Sequence, residues 1–292
     1  MTAAMPIREF AHAKINLTLK VCGRRPDRYH ELQSLVTFAD IADEIVFEPD
    51  EEASITTRGP FASEIAGANL IETTLHRVRD LDQDLRLGAI TLAKNLPVAA
   101  GIGGGSADAA AMLRAIRTAN PDRADRIDWH AIAVRLGADV AVCLASRPAL
   151  MWGIGDRVES LSGPLPELPA VLVNPRVPLS TASVFAALDA PPAPPSARPE
   201  LGAEIRTLAG LLDVMRSVGN DLERPAIALL PVISDIKAAL TAQPGCRHAA
   251  LSGSGPTCFG VFSDAAAASQ AAAALSSAHP HSWIVATRLA GL

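Results

Sequence analysis

Residues 10–21 alternate strictly between two sets of side chains. Ala11, Ala13, Ile15, Leu17, Leu19 and Val21 form one set and are all apolar; Phe10, His12, Lys14, Asn16, Thr18 and Lys20 form the other. A period of two predicts a β-strand with one buried face, and it displays Lys14 and Asn16 together on the opposite face. Gly23–Arg28 carries Gly, Pro, Asp and Arg and predicts a turn, and 31–48 holds further strand-like apolar runs. Asn69–Leu81 has the periodicity of an amphipathic helix, and Ala89–Lys94 reads as a strand leading into Asn95-Leu96-Pro97. A helix rich in Ala, Met, Leu and Ile is predicted from Ser106 to near Thr118. Asp128 is placed to cap another that ends at Gly137, and Val171–Asn174 reads as a short strand stopped at Pro175. Further on, the pattern predicts helices near 201–218 and 225–242, then strand, glycine-rich turn and strand over Ala249–Phe262. An Ala-rich helix over 264–278 and a strand near Trp283–Arg288 follow. Strands and helices mix without regular βα alternation, which argues for an α+β fold rather than a doubly wound sheet.

One stretch departs from this patterning. Residues 190–199 read Ala-Pro-Pro-Ala-Pro-Pro-Ser-Ala-Arg-Pro and predict an exposed, extended loop, because proline lacks the N–H that ladders and helices need. The 292 residues suffice for one large or two ordinary domains, and no fixed-period repeat is present. With 26 basic and 31 acidic residues the net charge is −5, so a nucleic-acid surface or a polybasic membrane anchor is not expected. No run of about 18 apolar residues predicts a transmembrane helix. Met1–Phe10 carries Arg8 and Glu9 without an apolar core, so no secretory signal is expected. Cys22, Cys143, Cys246 and Cys258 show no CxxC or zinc spacing and read as reduced thiols of a cytoplasmic protein.

Candidate chemistry centres on Gly101, Gly103, Gly104 and Gly105, which precede the helix predicted from Ser106. Glycines let backbone approach a ligand closely, and the first amides of a helix have no intrahelical partner and sit at the positive end of its dipole. That combination suits phosphate. Ser106 is placed to cap the helix or to reach a phosphate-bound metal, and Asp108 to complement the dipole. A glycine cluster alone is equally compatible with a structural turn. A Walker A loop requires Gly-Lys-Ser/Thr, which is absent, and a Rossmann fingerprint requires an N-terminal βαβ unit, whereas this loop lies deep in the chain.

The longer string Pro97-Val98-Ala99-Ala100-Gly101-Ile102-Gly103-Gly104-Gly105-Ser106-Ala107-Asp108-Ala109-Ala110 resembles the ATP-binding motif of the GHMP kinases. Ala13-Lys14-Ile15-Asn16-Leu17, followed by Gly23-Arg24-Arg25-Pro26-Asp27-Arg28-Tyr29-His30-Glu31-Leu32, resembles the first motif of the branch whose substrate is 4-diphosphocytidyl-2-C-methyl-D-erythritol. Arg28 stands where that branch usually has glycine. Leu251-Ser252-Gly253-Ser254-Gly255-Pro256-Thr257 resembles the third GHMP motif, with Pro256 where a small residue is common. Leu136-Gly137-Ala138-Asp139-Val140 resembles the segment of the catalytic Asp, with Ala141 where proline often follows, and Gly219-Asn220-Asp221-Leu222-Glu223 resembles a fifth element. The five matches run in family order from residue 11 to 260.

The resemblance implies a two-domain GHMP fold: an N-terminal domain like ribosomal protein S5 domain 2 over 1–160, and a ferredoxin-like domain over 161–292. It implies ATP as co-substrate, held by Pro97, Ala99, Ala100, Gly101, Ile102, Gly103, Gly104, Gly105, Ser106, Ala107, Gly253, Ser254 and Gly255, with Mg²⁺ on the phosphates and Ser106 a contributor. It makes Asp139 the base or hydroxyl-orienting group, with Lys14 beside it; a plain Lys–Asp ion pair is the alternative for two such residues taken alone. Tyr29 would stack on the cytosine with Phe185 on the other face, His30 would read the base edge, and Asn16 and Asp139 would bond the substrate. Another GHMP kinase acting on mevalonate or homoserine, and a non-catalytic nucleotide-binding protein, stand as competing readings. A dinucleotide-dependent oxidoreductase is a third.

Overall fold

The computed structural model describes residues 5–65 and 70–290. In chain order its elements are β1 (Ile7–Asn16), β2 (Lys20–Arg24), β3 (His30–Glu48), β4 (Ser54–Arg58), α1 (Leu70–Leu81), β5 (Ala89–Ala93), α2 (Gly104–Ala119), α3 (Pro121–Ala124), α4 (Trp129–Leu136), α5 (Ala138–Ala145), β6 (Ala149–Gly153), β7 (Arg157–Ser160), β8 (Leu168–Asn174), α6 (Thr181–Ala187), α7 (Leu208–Val218), α8 (Glu223–Leu229), α9 (Val232–Thr241), β9 (Cys246–Leu251), β10 (Cys258–Phe262), α10 (Ala265–Ala278) and β11 (Trp283–Leu289). Asn69, the predicted start of α1, and Met1–Ala4 lie outside the described residues. The four cysteines are free.

The chain divides into two compact units whose sequences interleave. Unit 1 comprises 1–13, 41–98 and 103–146; unit 2 comprises 14–40, 99–102 and 147–292. In unit 1, β5 pairs antiparallel with the end of β3 (Glu44↔Ala93 to Glu48↔Ala89) and parallel with β4. Helices α1, α2, α4 and α5 pack on one another. Helix α2 is buried almost all round, and its many alanines let neighbouring helices approach closely. Asp128 caps α4 as expected, its Oδ1 accepting from Ala131 N at 2.9 Å.

In unit 2 the strands β9, β10, β8 and β11 lie in that order, every neighbour antiparallel. With helices between β8 and β9 and α10 between β10 and β11, this is the βαββαβ connectivity of a ferredoxin-like layer. Helices α9 and α10 cover the sheet, closing a core that includes Val171, Val173, Ile233, Ile236, Leu240, Leu251, Phe262 and Leu275. The first part of β3 pairs with β2 and with β6, and β6 with β7.

Three expectations are corrected. The helix predicted over 225–242 is two, α8 and α9, broken at Leu230–Pro231, where proline lacks the N–H and disfavours helix in the residue before it. The strand predicted over 10–21 is interrupted after Asn16, and its polar face is not open: Lys14, Asn16 and Thr18 are as buried as the apolar set. Helix α2 begins at Gly104, so Ser106 lies within its first turn rather than at the cap. The cap position is Gly103, at φ 65°, with no side-chain cap bond.

Candidate active site

The glycine segment divides between the units, Ala99–Ile102 counting with unit 2 and Gly103 onward with unit 1. In unit 1, Gly103 turns left-handed and Ala107 N bonds Gly103 O at 2.8 Å, which starts α2. The amides of its first turn have no intrahelical acceptor. Gly105 is exposed, and a Cβ built on it meets nothing within 4 Å, so the first turn is open on that side. A Cβ on Gly104 would lie 3.3 Å from Lys94 Nζ.

Lys94 anchors this turn from below. Its Nζ donates to Asp43 Oδ2 at 2.5 Å and to Asp108 Oδ2 at 2.6 Å, all three side chains being buried. Asp43 Oδ1 accepts from the backbone N–H groups of Asn95 and Leu96, at 2.5 and 2.8 Å. The cluster thereby ties the chain entering the glycine segment to the helix leaving it. Burial pushes the Asp108 carboxyl up to about 8, Asp43 adding to the effect and Lys94 opposing it. Burial works against the Lys94 charge, yet Asp108 and Asp43 together raise its pKa. Asp108 is thus not the dipole partner expected from the sequence: it lies in the second turn, bonded to Lys94.

Unit 1 also carries Asp139, partly exposed in the first turn of α5. Ala141 N bonds Gly137 O at 3.3 Å, a bond that proline at this position could not make.

In unit 2 three distant segments converge. Lys14 N bonds Ile102 O at 2.9 Å, and Asn16 N bonds Ser252 Oγ at 3.2 Å. Ala100 O accepts from Thr257 Oγ1 at 2.5 Å and from Asn174 Nδ2 at 3.4 Å, and Asn174 Nδ2 also reaches Thr257 Oγ1 at 2.8 Å. A Cβ on Gly101 (φ 73°) would fall 2.1 Å from Gly255 O, so the two glycine turns touch backbone to backbone and only glycine fits. Asn220 Nδ2 braces the second turn by donating to Leu251 O and Gly253 O at 2.9 and 2.8 Å, and Thr181 Oγ1 lies 2.8 Å from Ser254 Oγ. Asn16 Nδ2 donates to Ser34 Oγ at 2.7 Å, while its buried Oδ1 has no partner among the described residues. The bracing roles of Asn174, Thr257 and Ser252 are not legible in the sequence, because their partners are backbone groups far along the chain.

The same unit holds a cavity of about 670 Å³ lined by Tyr29, His30, Phe185, Thr181, Arg24 and Arg28 among others. Phe185 lies on α6, a short helix that the sequence pattern did not reveal. His30 and Phe185 stack, with ring centroids 4.9 Å apart and planes at 29°. The separation leaves no room for a base between these two rings; Tyr29, in the same cavity lining, is 60% exposed. Burial, and then the charge of Arg24, lower the His30 pKa, so the ring is neutral at neutral pH and offers one donor and one acceptor. Arg28 takes φ 73°, the left-handed conformation for which glycine is usual, and Tyr29 N bonds Asp27 Oδ1 at 3.2 Å to close the turn.

The family model for the GHMP kinases N terminal domain matches residues 69–147, and that for the GHMP kinases C terminal matches 198–281. A 4-diphosphocytidyl-2-C-methyl-D-erythritol kinase of Rhodopseudomonas palustris is 46% identical over 295 residues, covering 97% of each chain. The chain belongs to the 4-diphosphocytidyl-2-C-methyl-D-erythritol kinase family. A crystal structure of 4-(cytidine 5'-diphospho)-2C-methyl-D-erythritol kinase superposes with TM-score 0.76 at 32% identity, covering 98% of this chain and 100% of its own. The two-domain GHMP fold is therefore that of the family. A homoserine kinase of Cytophaga hutchinsonii, at TM-score 0.69 and 18% identity, covers 98% of this chain and 96% of its own, and shares the fold alone. Among the described residues no helix is long and apolar enough to cross a membrane.

Proposed function

We propose that the protein transfers the γ-phosphoryl group of ATP to the 2-hydroxyl of 4-diphosphocytidyl-2-C-methyl-D-erythritol, giving the 2-phosphate and ADP, as a cytoplasmic enzyme of the non-mevalonate isoprenoid precursor pathway. The observation that carries the reading is the cavity in which exposed Tyr29 stands beside the neutral His30–Phe185 pair. An aromatic surface accepts any base, and a neutral imidazole adds the donor and acceptor that select cytosine. A kinase acting on mevalonate or homoserine has no base to receive.

The remaining roles are those that the family motifs imply for these residues. Pro97, Ala99–Ala107 and the Gly253–Gly255 turn hold the ATP phosphates and neighbouring atoms through backbone amides. The buried, unpartnered Asn16 Oδ1 accepts a hydrogen bond from a substrate hydroxyl. Asp139 orients or deprotonates the 2-hydroxyl, and Lys14 stabilises charge on the transferring group. Among the described residues no cluster of three or more His, Cys, Asp or Glu could cage a metal. Mg²⁺ needs no such cage, and Ser106 in the first turn of α2 would be the residue to hold it beside the phosphates. When bound, the ion neutralises phosphate charge. The division at residue 160 lies between the two matched family regions and remains our assignment for the two domains.

Two variants test the roles. Asp139→Asn loses turnover while ATP binding stays close to that of the parent; turnover near the parent rate would refute the role of Asp139. Tyr29→Ala raises KM for the cytidine substrate far more than KM for ATP, whereas equal effects on both would point to general misfolding.

A further inference from the structure

The aromatic cavity has a charged rim that recognition of the base does not use. Arg24 ends β2, and Arg25 and Arg28 lie in the turn that leads to β3. Arg25 is committed, pairing with Asp27 at 3.0 Å and Glu31 at 3.2 Å. Arg24 and Arg28 have no carboxylate partner among the described residues, and both line the aromatic cavity. They also line an adjoining cavity of about 910 Å³ walled by Pro192, Ala193, Pro194 and Pro195, so both residues belong to the linings of both cavities.

The backbone that carries both arginines is fixed, Arg28 N bonding Arg25 O at 3.0 Å. The proline segment lies along β2: Arg24 N bonds Pro191 O at 2.7 Å, and Ala193 N bonds Arg24 O at 3.1 Å. Gly23 (φ 146°) permits this, since a Cβ there would come within 2.3 Å of Ala193 Cβ. Ser196 fastens the far end, its N and Oγ donating to buried Glu31 Oε2 at 2.8 and 2.7 Å. Arg28 occupies a left-handed backbone position that an unbranched, Cβ-bearing residue tolerates only at a cost, and such strain concentrates at functional sites.

We propose that Arg24 and Arg28 form an anion subsite that binds the diphosphate group of a cytidine diphosphate ligand whose base lies against Tyr29 and His30. The proposal rests on the cytidine reading of this cavity given above. Guanidinium groups bind phosphate oxygens through paired N–H donors, and two of them match a group carrying two negative charges. Asp189 also lines the cavity, a carboxylate that works against an anion there. The subsite therefore discriminates by charge, while the rings discriminate by base.

Calorimetric titration of the full chain with CDP and with cytidine tests this without turnover. The parent binds CDP at least tenfold more tightly than cytidine, with an advantage that shrinks as salt is added. Arg28→Gly, which suits the backbone conformation, and Arg24→Gln each lower CDP affinity at least fivefold and leave cytidine within twofold. Arg28→Lys keeps most of the preference for CDP, and Asp189→Asn increases it. Equal affinity of the parent for the two ligands would overturn the subsite and leave the cytidine reading standing. So would arginine variants that lose both ligands alike or neither. A parent that binds neither ligand would overturn the cytidine reading and the subsite with it.

Discussion

Lys94→Met removes the cation that joins Asp43 to Asp108 inside unit 1. The parent cluster has one ammonium within 2.5 and 2.6 Å of two carboxyl groups. Because the Asp108 carboxyl is pushed up to about 8, at pH 7 the balance is one positive charge against the one negative charge of Asp43. Methionine matches lysine in length but leaves the Asp43 charge in the interior with only the Asn95 and Leu96 amides. Breaking a buried pair from one side costs about 3–5 kcal/mol. At roughly 2–4 °C per kcal/mol for a domain of this size, Tm falls by roughly 6–20 °C. Asp108→Asn behaves differently: it mimics the protonated carboxyl without having to take up a proton on folding, so it is near neutral at about pH 4 and increasingly stabilising relative to the parent as pH rises toward 8. The sign of the pH dependence follows from the raised value. The Asp108 proton is held more tightly in the folded state, so its contribution is fully present below about pH 4 and is lost as pH rises to about 8. Thermal unfolding of parent, Lys94→Met and Asp108→Asn from pH 5 to 8.5 reads both effects, with Asp108→Asn flattening the slope. A Lys94→Met loss below about 1 kcal/mol, or an unchanged slope in Asp108→Asn, would refute the account of the cluster.

Gly101→Ala forces a Cβ against Gly255 O at a position with φ 73°, and it is expected to lower ATP affinity more than tenfold in a binding titration while CDP affinity changes little. Arg28→Gly relieves a left-handed strain of about 1–2 kcal/mol at an unfolded-state entropy cost of about 0.5–1 kcal/mol, so Tm does not fall and rises by up to roughly 6 °C. Glu31→Gln loosens the proline segment. Burial raises the Glu31 pKa, but the two Ser196 bonds and Arg25 outweigh it and hold the carboxyl below its ordinary range. The parent's contribution is thus present above about pH 4.5 and lost as pH falls below it. Limited proteolysis within 190–199 is therefore slow in the parent at pH 7 and fast in Glu31→Gln.

Much of the architecture is legible in local pattern, and the exceptions have physical causes. Alternation over 10–21 identifies the buried apolar set, since Ala11, Ala13, Ile15, Leu17 and Leu19 are all core. It misreads the other face, because Lys14 and Asn16 are buried where their backbone N–H groups bond Ile102 O and Ser252 Oγ, partners that local sequence cannot reveal. Asp128 signals its helix because its capping bond is three residues away. Asp108 is misassigned because its partners, Lys94 and Asp43, lie on other segments. The proline segment is exposed and extended as its composition predicts, yet prolines still offer carbonyls, and Pro191 O together with Ala193 N fastens it to Arg24. The motifs point to the glycine turns but not to their contact at Gly101 and Gly255, which is tertiary.

The most direct measurement is ATP-dependent phosphorylation of 4-diphosphocytidyl-2-C-methyl-D-erythritol by the purified protein with Mg²⁺, with mevalonate and homoserine as controls. Product phosphorylated on the 2-hydroxyl, with silent controls, is the expected result. Turnover of a control in place of the cytidine substrate, or ATP bound without turnover of any of the three, would contradict it.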